Sequence, residues 1–231
     1  MIFKILSYLR FLKGSKNQHG IHSPFVYSFI TLCLYDKKKY SFYEEIKKYQ
    51  QLLHENKNHK SDLLTYKRAK LLHRITTYFQ AKHSVDLSFT DGFIAFSMQS
   101  ENADLFCLEE TEKKSKSTKI FLSNFKAENI KVSTKRFKEV LDQLPQKEKK
   151  QFFIGRNINS ENIISVFKTL LPYITSDSLV ILDGIHLTKE REEIWKQIKN
   201  HSKVKVTVDL YFWGIIFFRE KQAKQHFKIR I

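Results

Sequence analysis

The chain has 231 residues and a formal net charge of +17; 42% of its residues are hydrophobic and 14% are aromatic. That length suits one domain with an extension, or two small domains, and the apolar content is ample for a buried core. Its two cysteines, Cys33 and Cys107, lie in apolar runs without metal-like spacing, which argues against a disulfide framework or a zinc site and for a reducing compartment. No uncharged run is long enough to span a bilayer, and no small-residue cleavage site follows the apolar residues 1–13, so a cytoplasmic location is expected. Lysine far outnumbers arginine and is spread over every segment. Such a surface is solvated and weakly polyanion-binding; specific nucleic-acid sites cluster arginine and aromatics on one face.

The first third of the chain reads as helical. Ile2, Ile5, Leu6, Leu9 and Leu12 recur at helical spacing, so 2–13 is an amphipathic helix. Such a helix packs on its own domain or lies on a membrane surface, and the first is expected here. Gly14 and Gly20 bracket a polar loop. Ser23-Pro24 then supplies an N-cap and a first-turn proline for a second helix carrying Phe25, Val26, Phe29, Ile30 and Cys33. Ser41-Phe42-Tyr43-Glu44 has the spacing of a capping box and opens a third helix. A fourth covers 63–79.

From Ser84 onward short apolar runs alternate with helical segments. The runs are 84–87, 104–109, 129–132, 151–154 and 178–183; the helices are 93–99, 112–124, 135–144, 160–171 and 189–201. This alternation predicts a doubly wound, mainly parallel α/β sheet. Residues 204–210 and 213–218 are too close for a crossover, so the sheet is expected to end in an antiparallel hairpin. The expected division is an N-terminal helical extension over 1–80 and a Rossmann-like domain over 81–231. Val85, Leu105, Val132, Phe153, Ile181 and Phe217 are the expected buried strand positions. Parallel sheets bind ligands at the carboxyl ends of their strands, and three runs end at or near an acidic residue: Asp86, Glu109 and Asp183. That pattern points to a nucleotide-like cofactor.

The chain resembles the bacterial S-adenosylmethionine-dependent methyltransferases of the Rossmann-like class, in the branch related to O-methyltransferases. The resemblance is carried by 18–26 (Gln-His-Gly-Ile-His-Ser-Pro-Phe-Val), Tyr35-Asp36-Lys37, Lys67-Arg68-Ala69-Lys70-Leu71-Leu72, and 211–219 (Tyr-Phe-Trp-Gly-Ile-Ile-Phe-Phe-Arg). It implies S-adenosylmethionine as cofactor, a small-molecule acceptor, and cofactor contacts at Asp86, Ser88, Gly92, Glu109 and Asp183. In the family a glycine stands where this chain has Ser88, followed here by Phe89, and Asp91 adds a charge near the expected methionine carboxylate. Glu109 matches the ribose-binding carboxylate; the alternative is a solvated Glu pair with Glu110 that caps the next helix.

Relatives that use a divalent ion hold it with acidic or amide groups after the fourth and fifth strands. Here Gly155 and Arg156 follow the fourth strand, and Gly184 follows Asp183. A hard cation needs several oxygen ligands, so no metal is expected. His186, near the end of the fifth strand, and His22, on a segment that would fold over the pocket, are the candidate bases for methyl transfer. For both, a purely structural role is the alternative. Three functions follow in order: a methyltransferase with weakened or lost activity, an inactive methyltransferase-fold binding or scaffold protein, and an RNA methyltransferase supported by charge alone.

Overall fold

A computed structural model describes residues 2–55, 64–100 and 103–231. Five parallel strands form the centre: β1 (His83–Leu87), β2 (Asp104–Leu108), β3 (Ile130–Ser133), β4 (Lys150–Ile154) and β5 (Leu179–Asp183). After them come β6 (Val206–Asp209), β7 (Trp213–Phe217) and β8 (Gln225–Lys228). The strand order is β3-β2-β1-β4-β5-β7-β6-β8. β7 runs antiparallel between β5 and β6, as the short 210–212 connection requires. The mainly parallel sheet and its hairpin therefore match expectation. The hairpin is not the end of the sheet, however: β8 adds to it, parallel to β6, and Lys16 bridges to Ile229 beyond it. Only Phe227 in β8 is apolar, so no periodic signal marks it; the exposed edge of β6 supplies the pairing.

Crossovers to the left of β1 and to the right of β4 place helices on opposite faces. One face carries α2 (Pro24–Phe29), α3 (Phe42–Glu55), α4 (Tyr66–Phe79), α5 (Phe93–Ser97) and α6 (Glu112–Ser123). The other carries α7 (Phe137–Leu141), α8 (Ser160–Leu170) and α9 (Lys189–Asn200). Adjacent strand residues divide between the two cores: Phe153 and Ile181 join the first, Phe152 and Val180 the second. α2, α3 and α4 share one apolar cluster with β2, β4, β5, β6 and β7. Of the expected buried positions, Val85, Leu105, Phe153, Ile181 and Phe217 are buried, whereas Val132, on the edge strand β3, is half-buried.

Local chemistry sets most helix starts. The Ser23 hydroxyl accepts the Val26 N–H at the start of α2, with Pro24 in its first turn. Past α2 the chain widens into a five-residue turn, Ile30–Leu34, whose last carbonyls are taken by Arg74: Nε donates to Cys33 O and Nη2 to Leu34 O. The Ser41/Glu44 spacing does open α3, but through backbone bonds, Tyr43 N–H to Tyr40 O and Glu44 N–H to Ser41 O. α4 starts at Tyr66 behind a Thr65 cap; Leu63, its expected start, lies outside the described residues. Both cysteines are buried and free. The remaining helix, α1 (Ile2–Gly14), lies across the β6–β7 turn, with Ser7 and Phe11 buried beneath it.

Candidate functional site

The site is built from the loops that leave β1, β2, β4 and β5. Asp86, near the end of β1, is wholly buried. Its carboxylate accepts the N–H of Ser88 at 2.9 Å and of Ala95 at 3.0 Å, tying the loop to the helix that follows it. Burial pushes its pKa up to about 7, against the pull of those bonds. The loop then turns through left-handed backbone at Phe89 (φ 54°), Asp91 (φ 51°) and Gly92 (φ 74°). Only the last is a residue that adopts it freely. Surrounding contacts hold the loop in this shape. Tyr49 donates to Asp91 O at 2.9 Å, Asn157 Nδ2 to Ser88 O at 2.9 Å, and the Ser88 and Thr90 hydroxyls bond at 2.7 Å.

Gly92 does not face an open ligand space. A Cβ there would come within 2.9 Å of both Thr118 Cγ2 and Tyr49 Oη, so the glycine serves the crowding of α3, α5 and α6. Glu109 also turns toward this packing. The Thr118 hydroxyl donates to its Oε1 at 2.9 Å, and Oε2 is buried with no hydrogen-bond partner. Burial raises its pKa to about 7, with Asp86 and Asp91 adding to the effect. Tyr49 and Thr118 were not singled out from sequence. Each lies within a helix, where apolar spacing and caps mark the element but not the partner of a single hydroxyl.

Beyond β4 and β5 the loops touch. A Cβ on Gly155 would lie 2.5 Å from Ser88 Cα, leaving no room for any side chain at that position. Arg156 forks onto Asp183, Nε to Oδ2 at 2.7 Å and Nη2 to Oδ1 at 3.1 Å. Arg191, in the first turn of α9, staples both loops by donating to Asp183 O at 3.1 Å, Arg156 O at 2.8 Å and Ile158 O at 2.5 Å. No sequence signal marked that role. The Arg68 guanidinium lies 4.3 Å from the centre of the Phe212 ring, and Phe212 O accepts the Gly184 N–H.

Two spaces result. A cleft of about 410 Å³ opens between Phe89, Glu110, Asn157, Ile158, Asn159 and Asn162, within the range of small-ligand sites. A void of about 10 Å³ is left among Ser88, Thr90, Gly155, Arg156 and Asp183. Of the residues that the resemblance gives as cofactor contacts, Ser88 and Asp183 line the small void, while Asp86, Gly92 and Glu109 line neither space.

The candidate bases stand elsewhere. His186 is held between two carboxylates, Nδ1 at 2.8 Å from Glu192 and Nε2 at 2.9 Å from Asp209, and Tyr211 stacks on its ring. Burial opposes its charge, but the bonds and charges of Asp209 and Glu192 prevail and hold its pKa above the usual value. Both ring nitrogens are engaged. His22 is exposed beside Ser23, whose hydroxyl accepts from Gln222 in the β7–β8 loop at 2.9 Å. That loop lies at the amino ends of the parallel strands, the edge opposite the cleft, so His22 is not brought to it.

No protein-family model and no curated protein matches the sequence. Solved structures do match. The SAH-bound methyltransferase of Podospora anserina aligns with a TM-score of 0.65 at 8% identity, over 87% of this chain and 97% of its own. An O-methyltransferase from Bacillus cereus, in complex with SAH, aligns at 0.60 and 15% identity, over 83% and 94%. The O-methyltransferase TomG of Streptomyces achromogenes, in complex with SAM, aligns at 0.56 and 15%, over 87% and 97%. This chain has the O-methyltransferase-related Rossmann-like fold. Open α/β sheets bind ligands at the carboxyl ends of their strands, the edge at which these loops lie.

The donor set at β4 and β5 does not fit a divalent ion. Both Asp183 oxygens bind a guanidinium, Gly155 has no space for a ligand, and no three-residue cluster of His, Cys, Asp or Glu able to hold a metal occurs among the described residues. For S-adenosylmethionine the fit is divided. The larger cleft has room and polar amides for a nucleoside, whereas Glu109 Oε2, buried without a hydrogen-bond partner, lines neither space. The void where the methionine end would pass is too small for it.

Proposed function

We propose that this is an O-methyltransferase-type protein that binds S-adenosyl compounds with low affinity and has lost metal-assisted methyl transfer. The observation that carries this reading is the Arg156–Asp183 fork, packed beside Gly155 and Ser88, which closes the edge where donor and acceptor would meet. Bound S-adenosylmethionine supplies an electrophilic methyl group, displaced in line by an acceptor atom, so the protein must hold both partners in contact. Here the residues support holding only the nucleoside half. Phe89 offers a ring face, and Asn157, Asn159 and Asn162 offer amides to a base. Asp86 orders the loop from below. His186, locked by Glu192 and Asp209, serves the docking of α1 and not proton transfer at the cleft.

Calorimetric titration with S-adenosylmethionine, its demethylated product and adenosine tests the proposal. All three are expected to bind with similar Kd, on the order of 10⁻⁴ M, because the amino-acid half adds no net contact. Magnesium should change neither affinity nor melting temperature. Micromolar, magnesium-enhanced binding of S-adenosylmethionine that is lost in Asp183→Ala would restore the metal-dependent enzyme. No heat at millimolar ligand would leave a scaffold role for the fold.

A further inference from the structure

We propose that α1 docks the protein on an anionic phospholipid surface through the face it turns to solvent. Helices of globular proteins normally bury their apolar stripe. α1 does the reverse. Ile2, Ile5, Leu6 and Leu9, at helical spacing on one face, are 75%, 55%, 53% and 55% exposed. The opposite face is fastened to the body. Ser7 hydrogen-bonds Glu192, the Arg10 guanidinium lies 3.4 Å from the same carboxylate, and Tyr211 donates to Lys4 O at 2.9 Å. Tyr8 and Phe11 pack on the Tyr211 ring, with centroids at 4.9 and 5.5 Å. Thus the helix cannot roll to bury its aliphatic stripe without breaking these contacts.

Charge selects the occupant. The first 35 residues contain Lys4, Arg10, Lys13 and Lys16 and no aspartate or glutamate, and the whole chain carries +17. A short helix with an aliphatic face and basic flanks has the pattern of a segment that lies in the headgroup region of an anionic membrane. It is too short to cross one: α1 has 13 residues, and no helix among the described residues is long and apolar enough to span a bilayer. A second copy is the poorer match. Pairing this face with itself would bring two basic helices together with no acidic residue on either to oppose them.

Flotation of the full-length protein with vesicles tests the proposal, at about 0.15 M salt, where charges are screened beyond about 8 Å. The protein should float with phosphatidylcholine–phosphatidylglycerol vesicles and not with pure phosphatidylcholine. Ile5→Asp/Leu9→Asp should weaken that binding at least about tenfold with an unchanged melting temperature, since both side chains already face water. Lys4→Glu/Lys13→Glu, which keeps the stripe, should also weaken it. Undiminished binding in the aspartate variant would mean that the basic body adsorbs without α1, and would overturn the proposal. So would failure of the wild-type protein to bind, or a wild-type dimer that the aspartate variant converts to monomer.

Discussion

Phe89 sits in left-handed backbone (φ 54°) and lines the larger cleft. A bulky residue there costs about 1–2 kcal/mol relative to ordinary backbone. Glycine would remove that cost and the ring, but would also free the unfolded chain. Phe89→Gly is therefore expected to change stability by less than about 1 kcal/mol while weakening S-adenosylhomocysteine binding by roughly tenfold, because the base loses its ring face. Urea denaturation and calorimetry read the two effects separately. An unchanged affinity would show that the ring does not hold the base. The sequence marked Ser88-Phe89 as unusual for a cofactor loop. It gave no sign that Tyr49 and Asn157 brace that loop, because their bonds to Asp91 O and Ser88 O cross 42 and 69 residues.

At the scale of elements, β8 is the part of the sheet that apolar periodicity did not reveal. Its residues are half-buried but for the exposed His226, and its hold on the molecule continues past it to Ile229, which is fully buried. Ile229 N–H donates to Asp209 O at 2.9 Å, Lys16 N–H to Lys228 O at 2.8 Å, and Tyr35 donates to Arg230 O at 2.7 Å. These bonds fasten the segment after α1 and the end of β6 to one short strand. Ile229→Ala should cost about 2–4 kcal/mol of unfolding free energy. A loss below about 0.5 kcal/mol in urea denaturation would mean that β8 merely covers an edge. β5 was legible because it is buried on both faces and its residues Leu179–Leu182 read as an unbroken apolar run.

For the whole molecule, two buried carboxyls and the half-buried His186 make stability depend on pH in the same direction. Asp86 and Glu109 have folded pKa values raised to about 7. The native state therefore holds their protons longer than the unfolded chain does. The stability this brings is complete below the ordinary carboxylate range, near pH 4, and is lost as pH rises through about 7. His186 is also raised. Its contribution is complete below the ordinary histidine value, near pH 6.5, and is lost as pH rises through its higher folded value. Unfolding free energy should thus fall between pH 5 and pH 8, by on the order of 2–5 kcal/mol. Asp86→Asn should flatten the lower part of that slope, because the amide keeps one acceptor for the loop and carries no charge. His186→Gln should flatten the upper part and cost on the order of 3 kcal/mol, since it leaves Glu192 and Asp209 without their shared partner. A stability that rises over this range would show that the carboxylates are ionised without cost.

The sequence by itself determined the alternation of strands and helices, the antiparallel β6–β7 pair and most buried strand positions. These follow from periodicity and short connections, which act over a few residues. Only the tertiary structure decided what the polar groups do. Asp86 turns to backbone N–H groups, Glu109 to Thr118, Asp183 to Arg156, and His186 to Glu192 and Asp209. α1 leaves its aliphatic face in water because Ser7 meets Glu192 across 185 residues of sequence. A charged or hydroxyl side chain has no period to betray its partner. Its role is fixed by what burial brings within about 3 Å of it, and that is set by the packed chain as a whole.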